Sequence, residues 1–191
     1  MSLRSLRIVA GVVACLVAAL PMQAKAETLD AMTFTCAQLN EANASDKAAD
    51  HYGASVLIAG YHATEGQGTI VDFDQLIAAF NKTSDYCKEN AGISVFNASA
   101  QYLGNNAEEP TGEAVDLALI TCQKAISTPK DKRDGLGQIL MWLSGYQAGY
   151  AEDTVIDFEA FEGNAKEIGE YCAANPHIGL YAASEKFMAP E

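Results

Sequence analysis

Apolar positions recur along this chain with the step of a helix. Phe73, Leu76, Phe80, Thr83 and Cys87 are spaced 3, 4, 3 and 4, and so are Phe158, Phe161, Ala165, Ile168 and Cys172. That spacing lays one apolar stripe along a helix, here with a cysteine at its far end. Asp72 and Asp157 stand just ahead of the two stripes, where a side-chain oxygen caps the first turn. The run "DGLGQILMWLSGYQAGY" puts Ile139, Trp142, Leu143, Tyr146 and Tyr150 on helical spacing as well. Asn175-Pro176 predicts the cap and first residue of a short terminal helix. Outside these segments, only the β-branched pairs Ile70-Val71 and Val155-Ile156 suggest extended chain.

The two stripes are copies of each other. With Val56–Leu103 laid over Met141–Met188 at an offset of 85, 12 of 48 positions are identical. Gly60-Tyr61 falls on Gly145-Tyr146, Asp72-Phe73 on Asp157-Phe158, and Tyr86-Cys87 on Tyr171-Cys172. Thr35-Cys36 matches Thr121-Cys122 at an offset of 86. A repeat this long implies two copies of one small domain. The predicted fold is all-α, with two tandem small four-helix domains over 34–103 and 117–188. A polar, acidic linker covers 104–116, and an extension covers 27–33. Each domain has a short helix with its first Cys, a long Gly-Tyr helix, a long Asp-Phe…Tyr-Cys helix and a terminal helix. Gly60 and Gly145 are expected to let the Gly-Tyr helix pass close to the neighbouring Cys helix. Gly145 and Gly149 add a GxxxG spacing that permits close backbone approach. Trp142, the only tryptophan, is expected in the core.

The ends and the cysteines bear on location. "MSLRSLRIVAGVVACLVAALPMQAKA" has a basic start, an apolar run of about a dozen residues and an Ala24-Lys25-Ala26 close, the pattern of a cleaved signal peptide over 1–26. The run is too short for a comfortable membrane span, which takes about 20 residues. Four cysteines then remain, Cys36, Cys87, Cys122 and Cys172, an even number in an oxidising compartment. Only the pairing Cys36–Cys87 and Cys122–Cys172 repeats the same structure in both copies. No His accompanies them at metal-ligand spacing, so neither metal nor cofactor is expected.

Charge narrows the partners. The chain carries 12 Lys and Arg against 25 Asp and Glu. Without Arg4, Arg7 and Lys25, 9 bases face 25 acids, a net −16. Such a surface repels nucleic acid and anionic lipid. With all carboxylates protonated and the three His charged, the same chain is about +12. There is no glycine-rich phosphate loop, no nucleophile elbow and no ligand cluster, so an enzyme is not expected.

Taken in order, Thr121-Cys122, "WLSGY" (Trp142–Tyr146), "TVIDF" (Thr154–Phe158), "YCAANP" (Tyr171–Pro176) and "LYAAS" (Leu180–Ser184) resemble the HdeA/HdeB acid-stress chaperone family of the bacterial periplasm, with HdeB-like members the nearer match. The first copy departs from the pattern. It has Ile58-Ala59 for Leu-Ser, no Trp, and Asn90-Ala91 for Asn-Pro. The resemblance implies small helical domains with one disulfide each, idle at neutral pH, that loosen in acid and hold unfolded periplasmic proteins in solution. Family members form homodimers. Here the second copy is expected to fill the partner's place, giving a monomeric pseudo-dimer, with a homodimer as the alternative. The expected client contacts are Leu57, Ile58 and Tyr61 in the first copy and Trp142, Leu143 and Tyr146 in the second. Asp72 and Asp157 are expected to sense pH, since a carboxylate caps a helix best when ionised. The rival reading is a constitutive protein-binding module of the immunity or inhibitor type.

Overall fold

The computed structural model describes residues 28–44, 48–66, 68–110, 114–129 and 133–189. The expected signal peptide, 1–26, lies outside the described residues. Eight α-helices occur among them, in the predicted order. The first four are α1 (Cys36–Asn43), α2 (Ala48–Ala63), α3 (Phe73–Glu89) and α4 (Val95–Ser99). Then come α5 (Cys122–Ile126), α6 (Arg133–Tyr150), α7 (Phe158–Ala174) and α8 (Leu180–Met188). Four short strands join them: β1 (Thr28–Asp30), β2 (Ile70–Val71), β3 (Val115–Asp116) and β4 (Val155–Asp157).

The caps start the helices where the sequence places them. Asp72 accepts hydrogen bonds from the Asp74 and Gln75 amides at 3.1 and 3.2 Å, and Asp157 accepts one from Ala160 at 2.9 Å. Thr35 and Gln38 form a reciprocal capping box on α1. Both predicted disulfides are present. Cys36–Cys87 ties α1 to α3 and Cys122–Cys172 ties α5 to α7, with Cα atoms 4.7 and 4.8 Å apart.

The same contacts hold each pair of tied helices. The Cys36 amide donates to Ile93 and the Cys122 amide to Ile178, both at 2.8 Å. Val95 donates to Phe34 and Leu180 to Ile120, both at 2.7 Å. Asn90 and Asn175 each reach back to the Tyr86 or Tyr171 carbonyl at 2.9 Å. Here the structure corrects the sequence reading. Asn175 closes α7 as its C-terminal cap, and Pro176 lies in the turn that follows; α8 starts only at Leu180. Asn suits either end of a helix, so residue type alone does not separate the two roles.

The β-branched pairs become strands that cross between segments. β1 pairs antiparallel with β4, Thr28 opposite Asp157. β2 pairs antiparallel with β3, Ile70 opposite Asp116. The extension before the first segment therefore binds the second, and the end of the linker binds the first. The linker also begins with a 3-10 turn at Gly104–Asn106. The larger apolar core draws on both segments, joining Val56, Ala59 and Leu76 to Trp142, Leu143 and Ile168. A smaller core gathers Phe34, Leu39, Ile58 and Val95 around Cys36–Cys87.

The closest approach in the fold is between α2 and α6. A β-carbon on Gly60 would overlap the Trp142 carbonyl oxygen, and one on Gly145 would overlap the Leu57 carbonyl oxygen. The sequence reading had turned these glycines toward the Cys helices; they face each other's helix instead. Gly149 is also used, its β-position lying 2.8 Å from the Tyr61 carbonyl. The obstacles are backbone atoms, which move only if the helices part. Gly145→Ala is therefore expected to lower the unfolding free energy by about 3 kcal/mol or more, measured from urea midpoints. Gly169 on α7 has open space at its β-position. Gly169→Ala should raise stability, by up to about 1 kcal/mol.

Candidate functional site

The glycines bring two apolar stretches together, "SVLIAGYHA" (Ser55–Ala63) on α2 and "MWLSGYQAG" (Met141–Gly149) on α6. A side chain between the helices would hold them apart; its absence lets the flanking residues close over each other. Leu57, Ile58, Trp142, Leu143 and Tyr146 are all buried along this seam, and Tyr61 is half-buried. The six residues predicted to meet clients thus lie in one place, five of them covered in the folded state and Tyr61 partly so.

Aromatic contacts order the seam. The Trp142 ring stacks on Tyr146 at 5.1 Å with 15° between planes. The Tyr146 hydroxyl lies 3.0 Å from that of Tyr150. Burial, and then the contact with Tyr150, hold the Tyr146 phenol far above the usual tyrosine range. Tyr61 meets Phe96 edge-on at 5.0 Å. Burial raises its phenol too, helped by Glu152, Glu65 and Asp153.

Two clefts flank the crossing; the first is lined by the first segment and the linker with Trp142 reaching in from the second segment, and the second takes a wall from each segment. The first sets Trp142 against Ile70, Val71, Asp72 and Leu76, with Ala107, Glu108 and Pro110 completing its wall. That stretch is held by Gln75 Nε2 donating to the Glu109 carbonyl and by the Lys82–Glu108 ion pair, both at 2.6 Å. The second cleft sets Leu57, Ile58 and Tyr61 against Ile156, Asp157 and Phe161. Asp72 and Asp157, the predicted acid sensors, therefore sit in the clefts beside the predicted client residues. Asp72 is only 8% exposed, so its carboxylate is the more sheltered of the two.

The sequence reading missed two members of this region. His62 follows Tyr61 directly, is buried, and packs its ring on Phe96 at 4.3 Å. Gln147 holds the matching place after Tyr146 and is buried as well. The available signal was a polar residue inside an apolar run, which a search for catalytic triads passes over.

The family model described as HdeA/HdeB family matches residues 92–182. That stretch of the chain belongs to the HdeA/HdeB family. It begins in the turn before α4 and ends inside α8, so α5, α6, β4 and α7 lie wholly within it. The family is known for periplasmic acid-stress chaperones. No curated protein and no solved structure matches the chain. Among the described residues, no helix is long and apolar enough to cross a membrane.

Trp142 anchors the seam from the side that lies within the family match. Trp142→Ala is expected to cost about 3–5 kcal/mol of stability, as large buried side chains do. Tyr146→Phe keeps the ring stack and loses only the hydroxyl contact, at about 1 kcal/mol. Chemical denaturation followed by far-ultraviolet circular dichroism separates the two.

Proposed function

We propose that this protein is a periplasmic holdase that acid activates, built from two HdeA/HdeB-like copies in one chain. The observation that carries the reading is the placement of the six apolar client residues. They are covered by a seam that is noncovalent, while each side of the seam is stapled by its own disulfide. Acid acts on the seam and not on the staples. Protonating Asp72 and Asp157 removes two charged caps beside the clefts. The change from net −16 toward about +12 then drives the two halves apart. Leu57, Ile58, Tyr61, Trp142, Leu143 and Tyr146 become available to unfolded chains. The protein works by binding and performs no bond chemistry.

The second copy takes the place of a partner subunit. Strand exchange ties β1 to β4 and β2 to β3, so the halves separate and close again as one molecule. Opening is then independent of protein concentration, and two apolar patches on one chain raise each other's effective concentration for a client. Removal of residues 1–26 at the Ala26–Glu27 bond delivers the chain to the periplasm. Mass spectrometry of a periplasmic extract should give a mature protein starting at Glu27; a chain retaining Met1 in that fraction rejects cleavage.

The central test is client aggregation. At about pH 3, below the ordinary carboxylate range, the protein should suppress light scattering by an acid-unfolded client, and at pH 7 it should not. Trp142 emission should shift red over the same interval. A single tight partner at pH 7, with no protection in acid, would point instead to a constitutive binding module. The disulfides enter the same assay. A bridge closing a loop of this length removes unfolded-chain freedom worth about 4 kcal/mol, and so keeps α1 near α3 and α5 near α7 after the seam opens. A Cys36→Ser/Cys122→Ser variant should protect clients poorly; equal protection would limit the bridges to stability at neutral pH.

A further inference from the structure

His62 and Gln147 occupy the same place in the two segments, 85 positions apart, each one residue after the Tyr of Gly-Tyr. His62 is 1% exposed. Its Nε2 lies 3.2 Å from the Phe96 carbonyl. A carbonyl oxygen can only accept, so Nε2 carries the proton and Nδ1 is the bare nitrogen. Nδ1 is buried with no hydrogen-bond partner. The ring is pressed against Phe96, which leads into the short helix α4. In the other segment Gln147 is buried, and its side chain lies against Tyr181, which stands at the Phe96 position. The architecture is shared. Only one side carries a group that gains charge in mild acid.

We propose that His62 is a proton-operated release for the first segment, uncoupling α4 from the end of α2 in mild acid while the Gln147–Tyr181 side stays closed. A second proton on the imidazole must go to Nδ1, where nothing accepts a hydrogen bond. The charge would sit in an apolar pocket without a counterion, which folded proteins avoid by opening or by refusing the proton. The ionisable groups around the ring do not rescue it. α4 and the 3-10 turn at Gly104–Asn106 carry none. Glu41 on α1 is exposed at the surface. Glu152 and Asp153, beyond α6, act on the Tyr61 hydroxyl. Burial lowers the His62 pKa and outweighs the Phe96 carbonyl and Glu65, in the turn after α2, which both favour the charged ring.

The sign of the pH effect follows. The unfolded segment takes up its proton near the ordinary histidine value of about 6.5, and the folded one does so only lower. His62 therefore supports the closed state at neutral pH. That support is lost as pH falls below the unfolded value toward the folded one. This window opens at the ordinary histidine value, above the carboxylate range, so the first segment begins to loosen before the carboxylates are protonated. The inference concerns opening of the chain alone and holds whether or not the protein is a holdase.

The test is hydrogen exchange of the full mature chain without client, corrected for intrinsic exchange, compared between pH 7.5 and pH 5. Protection over 95–103 should fall, by up to about thirtyfold, the limit set by the roughly 1.5 units between the ordinary histidine value and pH 5, while 180–188 keeps its protection. His62→Gln, which installs the other segment's residue, should abolish the fall. Gln147→His should transfer it to 180–188. A wild-type protein that keeps full protection over 95–103, or a folded His62→Gln variant that still loses it, overturns the proposal. Should His62→Gln not fold at pH 7.5, the wild-type imidazole decides. Its Cε1–H resonance, assigned with His51→Gln and His177→Gln, should titrate below the ordinary range; titration at or above that range overturns the proposal.

Discussion

The contact between the α2 and α6 backbones is the constraint on which the rest of this structure depends. Two glycines, Gly60 and Gly145, each lie against a carbonyl of the opposing helix, leaving no room for a β-carbon. This brings the helices near enough for Trp142, Leu143 and Ile58 to be almost wholly buried. The clefts lie along this contact: Trp142 of α6 reaches into the one lined by α3 and the Ala107–Pro110 run, and Leu57, Ile58 and Tyr61 of α2 face Ile156 and Phe161 in the other. A seam made by missing side chains has a particular mechanical property. It buries apolar surface when closed, yet among the described residues it holds no disulfide and no buried ion pair that would oppose its opening.

The other devices divide neatly around that seam. Within each segment the links are strong and local: a disulfide, an Asn side chain folded back on its own helix, and paired backbone bonds at 2.7 and 2.8 Å. Between segments they are two- and three-residue strand pairs and apolar contact. A loss of charge balance acts first on the weaker set. Segments that remain stapled while their common face opens are what a binding role in acid requires, and it is this division that supports the holdase reading of a chain whose residues 92–182 match the HdeA/HdeB family.

Where the repeat is broken is as informative as where it is kept. Leu57 stands opposite Trp142 in the repeat, so one side of the seam contributes an aliphatic chain and the other an indole. The connecting run Ala107–Pro110 completes the cleft beside Trp142, while the cleft beside Leu57 is walled by Tyr61, Phe96 and Ile156. His62 against Gln147 places a proton acceptor on one side alone. Two similar segments of one chain are free to diverge in this way. Two identical subunits related by symmetry are not.

The sequence by itself determined the features that depend on near neighbours or on the repeat. Helix stripes ending in Cys87 and Cys172, caps at Asp72 and Asp157, and the disulfide pairing were all legible. Spacing and capping act within a few residues, and only one pairing repeats. The six seam residues were legible as dense apolar surface with something to cover them. What covered them was not. The tertiary structure alone decided that Gly60 and Gly145 face each other's helix, because a small residue permits close approach without naming the neighbour. It alone decided that β1 crosses to β4 and β2 to β3, since strands of two or three residues are too short to show a period. It also decided that His62 is buried with one nitrogen bare, for burial of a polar ring is a property of the surrounding core, and that core is assembled from residues distant in sequence.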